Sequence, residues 1–584
     1  MIKKLLSYVG EYKRYAILTP AMIIGEVIME VLIPLVMAAI IDNGLGKGGL
    51  KYTLTLGSLM ILMSLVSLCF GAAAGTYAAK AGMGFAKNLR NDLFHKVQDF
   101  SFANVDKFST GSLVTRLTTD VTNTQNAFMM LLRMGFRAPF MLIGATMMAI
   151  LTNGRLSLVF LVAIPVLGIA LFLIISNAHP RFQKMLKQYD KLNTTVQENL
   201  IGIRVVKAFV REDHENQKFG DSADAVRKAQ LFAEKLVILT APVMQFSMYG
   251  CILAILWFGG NMVIGKTLEI GQLASFISYI AQILISLMML SMMFIMLTLS
   301  RASIARISEV LDEVADIRDP SVSSASTGAA DAVVELKDGS IEFKNVSFSY
   351  AKDKNNLTLT DVNFKIESGE TIGIIGGTGS AKTTLVQLIP RLYDVDEGEL
   401  FVGGHNVKDY QLEKLRNNVA MVLQKNVLFS GTIRDNLKWG NENASEEEII
   451  EACKAAQAHD FIKSFPDGYD TQLGQGGVNV SGGQKQRLCI ARALLKKPKI
   501  VILDDSTSAV DTATDSKIRA AFREKLAGTT TIIIAQRITS VWDADKIIVL
   551  DDGKINGFGN HKELLKNNQI YREVYQSQQK GVED

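Results

Sequence analysis

The chain has 584 residues, a formal net charge of +4 and a hydrophobic fraction of 48%. This length allows several domains, and so small a charge argues against nucleic acid as a partner. Composition changes along the chain, because 22 of its 23 methionines lie at or before Met296 and only Met421 follows. The two parts are therefore expected to lie in different surroundings.

The first half contains apolar runs with few charges, each long enough to cross a bilayer as a helix. We predict about six crossings, near residues 16–41, 55–79, 130–151, 156–178, 236–264 and 272–299. The segment 179–235 is rich in lysine and arginine, whereas the linker 152–155 carries only Arg155. Since basic residues are retained on the cytoplasmic side, we expect a multi-pass membrane protein with both termini in the cytoplasm.

Two acidic residues, Glu26 and Glu30, lie four positions apart in the first predicted crossing. Ionisable groups at membrane depth face the protein interior or a water-filled cavity and are candidates for function. They predict either attraction of a cationic substrate or an internal ion pair with Arg133 or Arg137 on the third crossing. The sequence leaves both interpretations open.

The sixth predicted crossing carries five methionines at spacings that stack them on neighbouring helix faces. They are Met288, Met289, Met292, Met293 and Met296. Flexible, polarizable side chains of this kind can repack around varied apolar ligands, which makes Met288, Met292 and Met296 candidate substrate contacts. Methionine also fills lipid-facing helices, so this pattern too has two interpretations.

A segment rich in Ser, Ala, Asp and Gly, residues 319–340, is typical of a linker. We therefore predict a membrane domain over 1–317, a linker over 318–340 and a soluble domain over 341–584. In the soluble domain, apolar and polar residues alternate over 340–350, a pattern that predicts an edge strand. Residues 371–375 form a short apolar run that ends in glycines before a predicted helix.

That strand-to-helix turn reads GGTGSAKT and fits the phosphate-loop pattern except that Ala381 replaces its second glycine. Backbone N–H groups would surround phosphates, Lys382 would reach the β- and γ-phosphates, and Thr383 would bind Mg²⁺. If position 381 requires a positive φ, alanine costs about 1–2 kcal/mol there. The predicted ATP contacts of this loop are Gly376, Gly377, Thr378, Gly379, Ser380, Ala381, Lys382, Thr383 and Thr384.

Two further motifs follow in order. Residues 500–504 predict a buried strand whose last residue, Asp504, can hold Mg²⁺ through water. Between the phosphate loop and this strand lies the sequence VSGGQ, residues 480–484, at the head of a predicted helix. This sequence resembles the signature of ATP-binding cassette (ABC) proteins, with Val480 in place of the usual leucine, and the order of the motifs matches that family.

The resemblance implies roles for other residues. Tyr350 resembles the aromatic residue that stacks on adenine, and Gln424 the glutamine that senses Mg²⁺ and contacts the membrane domain. Residues 508–511 resemble the loop that crosses between two cassettes. The signature contacts, which reach the nucleotide held by a second cassette, are Ser481, Gly482, Gly483 and Gln484.

The membrane half resembles the same family. Segments 111–121 and 198–209 are similar to those that carry short coupling helices in exporters. The resemblance covers nearly the whole chain and implies an all-α six-helix transmembrane domain followed by an α/β P-loop NTPase. Such a half-transporter needs a second chain to make one machine.

Three departures from the family pattern meet in one predicted pocket. Asp505 stands where the family has the glutamate that polarises the attacking water, and misplacement by about 1 Å can cost on the order of 10²-fold in rate. Gln536 stands where the family has histidine, and it has no proton that titrates near neutrality. Together with Ala381, these residues predict a pocket that binds ATP and hydrolyses it slowly, in one subunit of a heterodimer.

The leading hypothesis is ATP-driven export of amphipathic small molecules, cationic drugs among them, across a bacterial inner membrane and in contact with its lipid. A lipid or peptide exporter is a second hypothesis. A nucleotide-gated channel or regulatory membrane subunit, in which hydrolysis is dispensable, is a third.

Overall fold

The computed structural model describes residues 2–320, 335–505 and 511–583. The chain divides into two compact units. Unit 1 holds the residues up to Gln98 and Ser109–Glu313, and unit 2 holds Asp99–Phe108 and the chain from Val314 onward. The predicted linker lies partly outside the described residues, and so does most of the predicted loop 508–511.

Unit 1 is built from helices. The helices of the first 313 residues are α1 (Ile2–Ser7), α2 (Lys13–Ala39), α3 (Gly49–Gln98), α4 (Phe102–Phe108), α5 (Thr110–Thr115), α6 (Val121–Thr152), α7 (Leu158–Ile201), α8 (Ile203–Ala208), α9 (Glu212–Val237), α10 (Thr240–Ile264) and α11 (Ile270–Asp312). Among the described residues, six helical stretches are long and apolar enough to cross a membrane. This confirms the predicted six-helix membrane domain.

Helices α2 and α11 pack closely along their length. Val27 and Val31, four residues apart on α2, are buried in the core that α2 shares with α11. The buried Tyr279 of α11 donates a hydrogen bond to the Val31 carbonyl oxygen at 3.2 Å. At Gly271 a Cβ atom would lie 2.3 Å from the Ala38 carbonyl oxygen, so only glycine allows this approach.

Ion pairs join the helical turn just before α6, residues 116–120, to the last turns of α11. Asp120, which is fully buried, accepts a hydrogen bond from Arg306 Nε at 2.7 Å. Arg116 pairs with Glu309 at 2.9 Å. A buried carboxylate is stable only when it is paired and hydrogen-bonded, so the Asp120–Arg306 pair fixes the register between these two helices.

Unit 2 combines strands and helices. Its strands are β1 (Ile341–Phe348), β2 (Leu359–Ile366), β3 (Thr371–Gly376), β4 (Glu397–Val402), β5 (His405–Asn406), β6 (Val419–Val422), β7 (Gly431–Thr432), β8 (Gln472–Leu473), β9 (Ile500–Asp504), β10 (Thr530–Ile534), β11 (Lys546–Asp551) and β12 (Lys554–Gly559). Its helices after α4 are α12 (Lys382–Leu388), α13 (Leu412–Asn418), α14 (Ile433–Lys438), α15 (Glu446–Ala455), α16 (His459–Lys463), α17 (Gly482–Leu495), α18 (Thr512–Lys525), α19 (His561–Asn567) and α20 (Gln569–Glu583).

A six-stranded sheet with the order β12-β11-β3-β10-β9-β6 forms the centre of unit 2. All neighbours pair in parallel except β12, which is antiparallel to β11. Both faces of this sheet are buried: in β9, Val501 and Leu503 enter one apolar cluster, and Ile500 and Ile502 enter the other. Continuous β-branched and leucine runs are typical of such strands, and the predicted α/β class is confirmed.

The prediction of an edge strand over 340–350 is wrong. β1 lies inside a second sheet of order β2-β1-β4-β5 and pairs on both sides. Ile341 and Phe343 are buried, whereas Glu342 is half-buried and Lys344 is exposed. Alternation reports which face of a strand is covered, not how many neighbours the strand has.

Both predicted segments contain a short helix of unit 1. Segment 198–209 contains α8, and segment 111–121 contains most of α5 before it continues into α6. A further short helix, α4, lies about ten residues upstream of that segment and belongs to unit 2. No apolar period or glycine marks this segment in the sequence.

Candidate functional site

Four predicted site residues follow neighbouring strands of the central sheet. Gly377 follows β3, Gln536 follows β10, Asp505 follows β9 and Gln424 follows β6. Because β3, β10, β9 and β6 are adjacent and parallel, their carboxyl ends meet at one edge. Open α/β sheets bind ligands at this edge.

The phosphate loop is held by its own lysine. Lys382 Nζ donates to the carbonyl oxygens of Gly376 at 2.9 Å and Gly377 at 2.7 Å. Burial lowers the pKa of this amine, and the carboxylates of Asp504 and Asp505 oppose that effect. The loop is thus folded with its single cation facing the strand ends.

Ala381 adopts the left-handed conformation, with φ 70° and ψ 23°. This is the condition under which the sequence predicted a cost, since a Cβ atom in this region is unfavourable by about 1–2 kcal/mol. Gly379, two residues earlier, also has a positive φ of 85°. Ala381 therefore introduces local strain into the loop.

Thr383 and Asp504, the two predicted Mg²⁺ residues, lie together. Thr383 Oγ1 donates to Asp504 Oδ1 at 3.1 Å. Asp504 is 2% exposed, and its Oδ2 is buried with no hydrogen-bond partner among the described residues. Burial raises the pKa of this carboxyl group, which the Thr383 hydrogen bond partly opposes. A hydroxyl and an unpartnered carboxylate oxygen are hard ligands that suit a divalent cation.

Asp505 is engaged by two amides. Gln536 Nε2 donates to Asp505 Oδ2 at 2.8 Å, and the Gln424 side chain lies close enough to lower the pKa of this carboxyl group. Burial raises the pKa of Asp505, whereas the two amides lower it. The structure therefore brings together all three residues that the sequence predicted for the chemical step.

Tyr350 lies beside the helix that follows the phosphate loop. Its hydroxyl is 3.0 Å from Thr384 Oγ1, and the residue is 48% exposed. Its ring stands edge-to-face against Tyr393, with centroids 5.1 Å apart. Burial raises the pKa of the Tyr350 hydroxyl, so it remains a neutral hydrogen-bonding group.

The signature forms the start of α17. Ser481 Oγ accepts from the Gln484 backbone N–H at 3.3 Å, and Gln484 Oε1 accepts from the Ser481 N–H at 2.8 Å. This capping box leaves the remaining N–H groups of the helix start to other acceptors. Ser481 and Gly482 are exposed and Gly483 is half-buried, so the helix start is at the surface, where its dipole favours an anion.

In the membrane unit, both acidic residues pair with one arginine. Arg137 binds Glu26 through one terminal nitrogen, and its other terminal nitrogen donates to both oxygens of Glu30 at 2.8 and 2.9 Å. Of the two partners considered, Arg137 is therefore the one that pairs. Two carboxyl groups thus share one guanidinium at this point.

An apolar cavity of about 460 Å³ lies between α10 and α11. Met244 and Met248 of α10 and Met288 of α11 contribute to its lining. Met292 is 55% exposed and Met296 is half-buried, and neither lines this cavity. Only one of the three predicted methionine contacts therefore faces it.

Tyr393, which the sequence did not single out, connects α4 to Tyr350. Tyr393 donates from its hydroxyl to Asp106 Oδ2 at 2.6 Å, and its ring meets Phe102 edge-on at 6.0 Å. The same ring contacts Tyr350. Since these residues are far apart in sequence, no local pattern could have associated them.

Comparison with known proteins gives matches over both units. A family model described as the ABC transporter transmembrane region matches residues 17–288, and one described as ABC transporter matches residues 359–508. The "Uncharacterized ABC transporter ATP-binding protein YfiB" of Bacillus subtilis (strain 168) is 39% identical over 577 residues, 99% of this chain and 98% of that protein.

Two further matches also span nearly the whole chain. The "Putative multidrug export ATP-binding/permease protein YgaD" of Bacillus subtilis (strain 168) is 33% identical over 597 residues, 98% of this chain and 99% of that protein. A solved structure of a bacterial Atm1-family ABC exporter with ATP bound has a TM-score of 0.81 and 25% sequence identity, and the match covers 97% of this chain and 98% of that one.

Proposed function

We propose that this chain, which belongs to the ABC transporter family, is one subunit of a heterodimeric exporter whose own pocket binds Mg-ATP and hydrolyses it slowly. The chain is an ABC half-transporter with a fused membrane domain and ATP-binding cassette, and thus an ATPase coupled to transport. The heterodimer, the slow pocket, the Mg²⁺ and the substrate are the parts we propose.

The observation that carries the proposal is the hydrogen bond from Gln536 to Asp505. A general base must have an oxygen available within hydrogen-bond reach of the attacking water. Here the uncharged amide of Gln536 holds one oxygen, and the Gln424 side chain also lowers the pKa of this carboxyl group. The carboxylate is also one methylene shorter than the glutamate of the family pattern. Both features place the carboxylate poorly for activating the water that attacks the γ-phosphate.

The nucleotide itself would still be held. Lys382 and the loop glycines would contact the phosphates, Thr383 and Asp504 would hold Mg²⁺, and Tyr350 would stack on the base. Mg²⁺ would neutralise phosphate charge when it is bound. Slow hydrolysis combined with intact binding makes the pocket a place where ATP is retained.

A second half-transporter subunit would complete the exporter. The exposed signature at Ser481 would contact the γ-phosphate in the partner's pocket, so that the faster site contains this chain's α17. Each unit also has an exposed apolar surface: Phe209 after α8 is 73% exposed, and on the cassette Phe429 and Trp439 stack at 4.2 Å while remaining 44% and 65% exposed. A second half-transporter would cover these surfaces.

The substrate class that fits unit 1 is an amphipathic small molecule, with cations favoured. The cavity beside Met288 would take apolar groups, and the two carboxyl groups of Glu26 and Glu30, which share Arg137, would favour a positive one. Multidrug export in the name of YgaD is consistent with this class. Basic residues in segment 179–235 support a cytoplasmic position for the cassette. The membrane domain would then lie in a bacterial inner membrane.

The proposal of a slow pocket is tested by restoring the residues of the family pattern to the pocket. Expressed alone, the chain should show little ATPase activity, and Asp505→Glu alone should add little, since residues that act as a unit are strongly non-additive. The triple variant Ala381→Gly, Asp505→Glu, Gln536→His should raise turnover by about tenfold or more. Adding Ser481→Arg to the triple variant is the matched control and should remove the gain. Brisk ATPase activity from the unmodified chain as a homodimer would overturn the proposal.

A further inference from the structure

The last helix of the chain is anchored in the cassette core by its first half. Tyr571 of α20 is fully buried, and its hydroxyl lies 2.7 Å from His561 Nδ1 of α19. Val574 and Tyr575, one turn further on, pack against the same apolar cluster. The direction of α20 is therefore fixed before the helix reaches its exposed end.

One side chain near that end contacts the backbone on both sides of Arg537. Gln578 Nε2 donates to the Gln536 carbonyl oxygen at 2.8 Å. Gln578 Oε1 accepts from the Ile538 N–H, also at 2.8 Å. The amide thus bonds to two backbone groups of the segment 536–538, which we call the switch loop, much as a neighbouring strand would.

The switch loop carries Gln536, whose own amide donates to Asp505. A continuous path of hydrogen bonds therefore runs from α20 through the switch loop to the carboxylate at the end of β9. The next residue on the helix, Gln579, has a different contact, donating to the Tyr575 hydroxyl at 2.7 Å. Two adjacent glutamines on one helix thus offer a test residue and a matched control.

We propose that Gln578 is a positioning residue that holds the switch loop against β9 and thereby sets how long ATP stays in this chain's pocket. It acts through Gln536 and touches no nucleotide itself. A side chain bonded to both the donor and the acceptor of one loop restricts the loop in two directions, which a single contact does not. Movement of α20 would then be transmitted to the ATP pocket.

This inference rests on the proposed function, and it takes Gln536, which donates to Asp505, to lie beside the γ-phosphate of the bound ATP. A merely structural role for Gln578 makes a different prediction. If the side chain only secured α20, its removal would lower the unfolding temperature of the cassette without changing nucleotide residence. If it positions the switch loop, residence time changes while the unfolding temperature stays close to that of the unmodified protein.

The experiment uses the full-length protein in its assembled form, loaded with radiolabelled 8-azido-ATP and Mg²⁺. Unlabelled ATP is added, samples are irradiated over time, and the label on this chain is measured after separating the subunits on a gel. The chain-specific signal reports this pocket even when a partner also binds ATP. Gln578→Ala, Gln536→Ala, their double variant and Gln579→Ala are compared, with thermal unfolding measured for each.

We expect Gln578→Ala to shorten residence of the label about three- to tenfold, the range for loss of an intramolecular hydrogen bond. Gln536→Ala should have a similar effect, and the double variant should be no worse than the stronger single variant, because both act through one loop. Gln579→Ala should leave residence unchanged.

Two results would distinguish an error about Gln578 from an error about the position of Gln536. If Gln536→Ala shortens residence but Gln578→Ala does not, or if Gln579→Ala acts as strongly as Gln578→Ala, the inference about Gln578 is wrong and the pocket proposal stands. If Gln536→Ala itself leaves residence unchanged, the position of Gln536 beside the γ-phosphate is wrong and the inference falls with it.

Discussion

Replacing Ala381 by glycine should stabilise the cassette, although it removes a side chain. The residue has φ 70° and ψ 23°, a conformation that costs a non-glycine residue about 1–2 kcal/mol. Glycine removes this cost but loses more chain entropy on folding, about 0.4–1 kcal/mol. The net expected gain in the free energy of unfolding is about 0.5–1 kcal/mol. For a domain of this size it corresponds to about 1–4 °C in unfolding temperature.

Two neighbouring glycines provide the controls, because an added Cβ atom would meet nothing within 4 Å at either Gly377 or Gly379. They differ in backbone conformation: Gly379 has a φ of 85°, whereas the φ of Gly377 is not positive. Gly379→Ala should therefore destabilise the cassette by about 1 kcal/mol or more, and Gly377→Ala should stabilise it by about 0.4–1 kcal/mol.

The assay is thermal and denaturant unfolding of the full-length protein without nucleotide, followed by a probe on the cassette. Nucleotide is left out because bound ligand would stabilise each variant according to its affinity. A loss of stability in Ala381→Gly, or equal effects of the two glycine controls, would refute the argument that this loop stores left-handed strain at position 381.

Two other variants test the nucleotide site and the substrate site. Tyr350→Ala should weaken labelling of this chain by 8-azido-ATP by about 1–3 kcal/mol, the usual worth of base stacking, and unchanged labelling would exclude Tyr350 from the base site. Changing Glu26, Glu30 and Arg137 together to glutamine removes the charges without leaving a lone guanidinium. Export of cationic compounds in reconstituted vesicles should then fall by up to about 10³-fold, since unit charges attract by about 4 kcal/mol at 4 Å in a medium of effective dielectric 20 and each 1.4 kcal/mol is about tenfold in affinity. Equal loss for neutral compounds would contradict a role for charge, and stimulation of ATPase activity by lipid alone would favour lipid as the substrate.

Local motifs made much of the ATP pocket predictable. The phosphate loop, the strand ending at Asp504 and the signature at 480–484 are each read from consecutive residues, and their order fixes the fold. The positive φ at Ala381 followed from the glycine that the loop pattern expects there. Such features depend on backbone conformation over a few residues, which sequence encodes directly.

Features set by distant contacts were not predictable. β1 was expected at an edge and lies between two strands, because alternation does not identify neighbours. The choice of Arg137 over Arg133 depends on how α6 is rotated against α2, which packing decides. Gln578 follows the packed residues Tyr571 and Tyr575 at helical spacing, which places it on the same face but does not identify its partner. Its proposed role becomes visible only when its two contacts with the switch loop are known.

The central claim, that this chain's own pocket is the slow one and its signature serves the fast one, is tested by comparing Asp505→Ala with Ser481→Arg in the assembled transporter. ATPase activity is measured in the presence of the partner subunit, with unfolding temperatures as a check, since Ser481 also caps α17. We predict that Asp505→Ala leaves most of the activity and that Ser481→Arg suppresses it by orders of magnitude, through lost stabilisation of the transferring phosphate. Loss of turnover in Asp505→Ala together with normal turnover in Ser481→Arg would contradict the account.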